Sequence, residues 1–156
     1  MASWLLRADA RGPEANYSHP MNPQSEIHGF MLSRATGLLR CGVNLVRVPP
    51  RKESFIYHEH KTEEEWLYVL AGRAIAVVNE EEVEVGAGDF LGFPAPGFAH
   101  HLKNPFAEDL VYLSGGEHVA VEVADFPHHG KRMIRIGEAV ALHAIDGSEF
   151  PGSKRL

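Results

Sequence analysis

Apolar residues in the middle of this chain fall in short runs, each cut off by glycine, proline or asparagine, and none recurs at helical spacing. The runs are Leu38 to Val48, stopped by Pro49 and Pro50; Ser54 to His60; Glu65 to Leu70, stopped by Gly72; Ala74 to Val78, stopped by Asn79; and Glu82 to Val85, stopped by Gly86 and Gly88. Phe90 to Phe93, His100 to Leu102 and Leu110 to Leu113 complete the series. This pattern predicts about eight strands in a small all-β sandwich or barrel over residues 38–116. Residues 1–37, broken by Pro13, Pro20 and Pro23, read as an N-terminal arm whose apolar end, with Ile27, Phe30, Met31 and Leu32, packs against something. Residues 117–156 read as a C-terminal extension that packs on the barrel, with a further strand over His118 to Val123.

A length of 156 residues allows one domain with a real core and leaves no room for two ordinary ones. Composition narrows the partners. Fifteen Lys and Arg against 21 Asp and Glu give a net charge of −6, which argues against a nucleic-acid backbone. No apolar run approaches the roughly 20 residues of a membrane helix, so a membrane is not expected and a cytoplasmic location is. The one cysteine, Cys41, has no partner for an internal disulfide, fits a reducing compartment and reads as a packing residue. Ten histidines are many for this size, and their positions matter more than their number.

In Tyr57-His58-Glu59-His60 the two histidines are one residue apart, and the period of a strand puts both imidazoles on one face. Glu65 opens the next run after a short polar connection, and His100 begins a later strand just past Pro96-Gly97. Three imidazoles and a carboxylate converging on one point would bind one divalent transition ion and leave one or two coordination positions open. Glu64 is the alternative carboxylate and His101 the alternative imidazole, although alternation points His101 the other way.

These residues resemble the two motifs of the cupin superfamily. His58-x-His60-x4-Glu65-x6-Gly72 follows the first, with Lys52 where the family's leading glycine stands. Gly97-x2-His100-x3-Asn104 follows the end of the second, whose earlier part, Gly88 to Gly97, carries one extra residue. The finer wording, including Glu64-Glu65-Trp66-Leu67-Tyr68-Val69-Leu70 and Gly115-Gly116, is similar to small bacterial cupins, some of which carry a sugar-phosphate isomerase label. The resemblance implies a double-stranded β-helix, a jelly-roll barrel, with His58, His60, Glu65 and His100 holding one divalent ion: Zn, Ni, Mn or Fe. It also implies three competing roles: a metal-dependent sugar-phosphate isomerase-like enzyme, an Fe(II)-dependent dioxygenase, and a non-catalytic ligand-binding or sensor module.

Other positions have plainer readings. If Glu65 faces inward, Trp66 and Tyr68 face outward, which predicts a face covered by the arm or by a second subunit, hence a homodimer. Ala74 and Ala76 share the ligands' inward parity and are small enough to leave a pocket. Asn44 and Arg47 lie on opposite faces of one strand, so one of them looks into the barrel, where it could bind an anionic small molecule. Asn104 reads as a turn former before Pro105, and His128-His129 as solvated surface. No nucleophile triad, phosphate-binding loop or dinucleotide fingerprint is present, and no catalytic base can be named.

Overall fold

The computed structural model describes residues 4–145. Along them run β1 (Ala15–Tyr17), β2 (Ile27–Met31), the single-turn helix α1 (Leu32–Ala35), β3 (Cys41–Val48), β4 (Lys52–Glu53), β5 (Glu59–His60), β6 (Glu65–Ala71) and β7 (Arg73–Val78). Then follow β8 (Glu81–Gly86), β9 (Phe90–Phe93), β10 (His100–Asn104), β11 (Leu110–Glu117), β12 (Val121–Phe126), β13 (Lys131–Ile136) and β14 (Ala139–Ala144). They make three antiparallel sheets, ordered β1-β2-β3-β11-β6-β9, β4-β10-β7-β8 and β14-β13-β12-β5.

The first two sheets face each other across one core. Alternation decides which side chains enter it. From the six-stranded sheet come Val46, Val48, Leu67, Val69, Leu110 and Tyr112; from the four-stranded sheet opposite come Ala74, Ala76 and Leu102. Arg47, between Val46 and Val48, points outward and pairs with Glu14 and Asp109. The fold is therefore the expected all-β jelly roll.

Turn chemistry closes the hairpins. Asn79 and Glu80, at φ of 47° and 68°, form the two-residue connection between β7 and β8. Gly72, at φ 75°, joins β6 to β7, and a β-carbon there would land on the carbonyl oxygen of Asp109. Asn104 organises the turn before β11: its amide donates to the carbonyls of Val48, Pro49 and Glu108, and its oxygen accepts the Phe106 N–H.

Several details differ from the pattern-based expectation. The arm is not a bare strap, since β1 pairs with β2 and β2 with β3, extending the six-stranded sheet. The extension forms its own sheet with β5, and the final residues, 146–156, lie outside the described residues. The run Ser54 to His60 is not one strand. Ser54 N–H bonds the Leu102 carbonyl and His58 N–H bonds that of His100, so four steps on this segment oppose two on β10 and it bulges. Cys41 is exposed instead of packed, at the start of β3 beside the sheet's open end. Trp66 and Tyr68 do face outward, and with Phe90 and Leu113 they line a shallow apolar groove that the arm leaves uncovered, because the arm joins the opposite edge of that sheet. Among the described residues no helix is long and apolar enough to cross a membrane.

Gly72→Ala should lower unfolding free energy by about 1–3 kcal/mol, since it forces an L side chain into a left-handed backbone against a carbonyl. Urea denaturation checks this, and an unchanged midpoint would contradict it.

Candidate metal centre

His58, His60, Glu65 and His100 arrive from three places on the barrel and meet at its interior. Glu65 begins β6, opposite Gly116 of β11, where a β-carbon would crowd the Glu64 carbonyl oxygen. His100 begins β10 after the Pro94–Gly97 turn; a β-carbon on Gly97 would strike the Pro94 carbonyl, so the turn depends on that glycine. His58 sits at the end of the bulge, bridged to His100 backbone to backbone, and His60 lies in β5 against Ala124 of β12.

The donor atoms are close together. His58 Nε2 and His60 Nε2 are 3.1 Å apart, and Glu65 Oε2 lies 3.2 Å from His60 Nε2, 3.2 Å from His100 Nε2 and 3.7 Å from His58 Nε2. Two ligands each about 2.1 Å from a shared ion stand about 3.0 Å apart at a right angle and about 3.4 Å apart at the tetrahedral angle. Three of the four observed spacings fall between those values, and the fourth, His58 to Glu65 at 3.7 Å, is longer.

The outer ring nitrogens settle which atoms face inward. His58 Nδ1–H donates to the Ile56 carbonyl at 2.7 Å, His100 Nδ1–H to the Phe98 carbonyl at 2.9 Å, and His60 Nδ1–H to Glu122 Oε1 at 2.9 Å. Carbonyl and carboxylate oxygens only accept, so each Nδ1 carries the ring proton and each neutral ring turns the lone pair of Nε2 to the centre. His58 and His60 thus aim two lone pairs at each other, an arrangement that a cation satisfies. The donor set of three imidazoles and one carboxylate suits a divalent first-row transition ion.

Charge points the same way. Burial opposes ionisation of Glu65, yet the surrounding imidazoles of His100, His58 and His60 hold its carboxyl well below the ordinary range. Burial opposes a charged His60 too, but Glu65 and Glu122 outweigh it and raise that ring to about 9 in the ion-free protein. His58 is depressed, first by burial and then by its imidazole neighbours.

Glu122, from β12, is the residue the sequence did not single out. It is 1% exposed, accepts from His60 and from the Thr62 hydroxyl, and pairs with no Lys or Arg among the described residues. The carboxylates of Glu65 and Glu122 together would balance the charge of one dication. In Val121-Glu122-Val123 alternation suggests an outward Glu, but the strand is turned so that Val121 is exposed and Glu122 buried. Donor atoms of His58, Glu65 and His100 lie within 4.8 Å of one another, and so do those of His60, Glu63 and Glu122, though Glu63 is already engaged by Arg135 and the Val119 N–H.

The remaining candidates lie elsewhere. Glu64 is exposed. His101 points away from the ligands and packs edge-on against Tyr57. His128 is exposed, stacked on Tyr57 and bonded to Glu80. Ala74 and Ala76 are filled core and leave no pocket. Asn44, not Arg47, faces the interior, where its amide donates to Ser114 Oγ at 3.3 Å. The cavity that Asn44 and Ser114 border measures about 1290 Å³ and is walled by all four candidate ligands, by Tyr17, His19 and Phe55, and by Phe126 of the extension.

Residues 44–116 match the family model described as the Cupin domain. A solved structure from Acidithiobacillus ferrooxidans with a provisional sugar phosphate isomerase name is 32% identical, with a TM-score of 0.88 over 96% of this chain and 97% of that one. A structure from Silicibacter pomeroyi, described as a sugar phosphate isomerase from a cupin superfamily, is 25% identical, with a TM-score of 0.83 over 95% and 97%. Sulfate adenylyltransferase subunit 1 of Shewanella oneidensis is 28% identical over 91 residues, 58% of this chain, which spans 18% of that protein's length.

Glu122→Gln should keep the fold yet weaken metal affinity by about 10- to 100-fold, because the amide is a poorer acceptor for His60 and leaves the dication unbalanced. Competition titration against a chelator measures this; wild-type affinity in the variant would contradict it.

Proposed function

Because the chain belongs to the cupin superfamily, we propose that it is a metal-dependent, isomerase-type enzyme acting on a small oxygen-rich metabolite. The observation that carries this reading is the position of the four ligands on the wall of a large cavity, where a bound molecule can reach them. A divalent ion held by His58, His60, Glu65 and His100 supplies a Lewis acid to a carbonyl or hydroxyl oxygen.

The chain's own groups fit such a molecule. Asn44 and Ser114 present an amide and a hydroxyl to the same cavity, suited to hydroxyl recognition. Tyr112, also on the wall, is held protonated, first by burial and then by the charge of Glu65, so it offers a neutral phenol and not an anion. Phe93 lies flat against the His100 ring at 3.5 Å and screens that ligand from the core side.

Wall charge favours an uncharged ligand. Among the described residues Arg34 is the one Lys or Arg lining the cavity, while Glu63, Glu64, Glu117 and Glu138 add acidic side chains to its lining. Apart from the metal ion itself, the walls would offer a phosphate ester or other dianion little positive charge. This supports a hydroxy-carbonyl compound of sugar type without a phosphate, and departs from the anionic ligand expected from the sequence.

Protein loaded with Mn, Fe, Ni or Zn and incubated in D2O with aldoses and ketoses, phosphorylated and not, tests the reading by NMR. Deuterium should enter at the carbon beside the carbonyl of unphosphorylated sugars. Oxygen uptake by the Fe(II) form without deuteration would favour an oxygenase instead, and neither signal with any metal would overturn the enzymatic reading.

A further inference from the structure

His19 lies just beyond β1, in the arm, outside the stretch that matches the Cupin domain. Its ring is 8% exposed, an unusual setting for a polar side chain on a segment of this kind. Aromatic rings surround it: Phe55 stands edge-on at 4.7 Å, Phe126 is tilted at 5.8 Å and Tyr17 is edge-on at 6.4 Å. Phe55 in turn packs edge-on against the ligand His58 at 5.4 Å, so His19 stands one ring away from the metal centre and on the same cavity wall.

One hydrogen bond fixes its chemistry. The backbone N–H of Met21 donates to His19 Nδ1 at 3.2 Å. An amide N–H cannot accept, so Nδ1 carries the lone pair and the neutral ring bears its proton on Nε2. Burial, and next the proximity of His58, keep the ring neutral. Nε2–H makes no hydrogen bond with any described residue. Nε2 is not itself a fully buried atom and its ring lines the cavity, so the cavity is where this donor can find an acceptor.

We propose that His19 is a ligand-contacting residue, which uses its Nε2–H to donate a hydrogen bond to an oxygen of the small molecule bound at the metal centre. The ligand class follows from the tautomer: a fixed donor recognises a carbonyl, hydroxyl or carboxylate oxygen and rejects an ammonium or amide N–H at that point. With Nδ1 occupied by Met21, the neutral ring has no free lone pair to take a proton, so His19 polarises and orients and does not act as the general base. The inference rests on the metal-dependent reading above and adds that the arm supplies part of the binding site.

Wild-type protein, His19→Phe and His19→Gln are loaded with Co(II), their metal content is measured, and acetohydroxamate, a small oxygen chelator, is titrated in while the visible Co(II) absorption is followed. All three should hold the same metal. His19→Phe, which keeps the aromatic packing without the donor, should bind acetohydroxamate about tenfold more weakly, and His19→Gln, whose amide retains a donor, should recover part of the loss. Equal affinity for wild type and His19→Phe overturns the proposal, as does wild-type protein that takes up Co(II) but no acetohydroxamate. Metal loss confined to the variants also overturns it, because His19 would then support the ligands. Wild-type protein that takes up no Co(II) overturns the metal-dependent reading itself, and this inference with it.

Discussion

Lone pairs on imidazole nitrogens and a carboxylate oxygen repel one another, and here His58 Nε2 and His60 Nε2 stand 3.1 Å apart while Glu65 Oε2 lies 3.2 to 3.7 Å from the Nε2 atoms of His58, His60 and His100. A dication would turn that repulsion into attraction; in the ion-free protein Glu65 and Glu122 outweigh burial and raise His60 to about 9. Holding the four groups in this array requires a rigid frame. Two facing sheets with Val48, Val69 and Leu110 fully buried between them supply it, and each imidazole is locked from behind by an acceptor on its Nδ1.

The segments flanking the barrel finish what the barrel begins. The extension brings Glu122 behind His60 and Phe126 to the cavity, and the arm brings Tyr17 and His19 to the cavity wall, with His19 beside Phe126. Sheet pairing anchors both: β2 against β3, and β12 against β5. The site is therefore composite, drawn from segments far apart in sequence around one central frame.

Much of this was legible in the residue pattern. Strand periodicity is visible wherever one face packs against the opposite sheet, as in Val46-Arg47-Val48, and the ligand spacing His58-x-His60-x4-Glu65 is short enough to read directly. What could not be read depends on contacts between distant segments. Glu122 sits in a Val-Glu-Val alternation that favours the opposite orientation, and only its partner His60, 62 residues away, explains why it is inside. The bulge at Phe55 to Tyr57 arises from a two-residue mismatch with β10, a register that no local pattern reveals. His19 lies among prolines in a stretch with no period, and its place depends on Phe55 and Phe126.

The central claim is that His58, His60, Glu65 and His100 are a metal site and not a cluster of buried polar groups. Elemental analysis of untagged protein purified without chelator, for wild type and His58→Ala side by side with far-ultraviolet circular dichroism of both, tests it most directly. The account predicts one tightly held equivalent of a transition metal in the wild type and its loss in the variant, with unchanged strand content. A full equivalent retained by the variant, or none in the wild type after reconstitution, would contradict it.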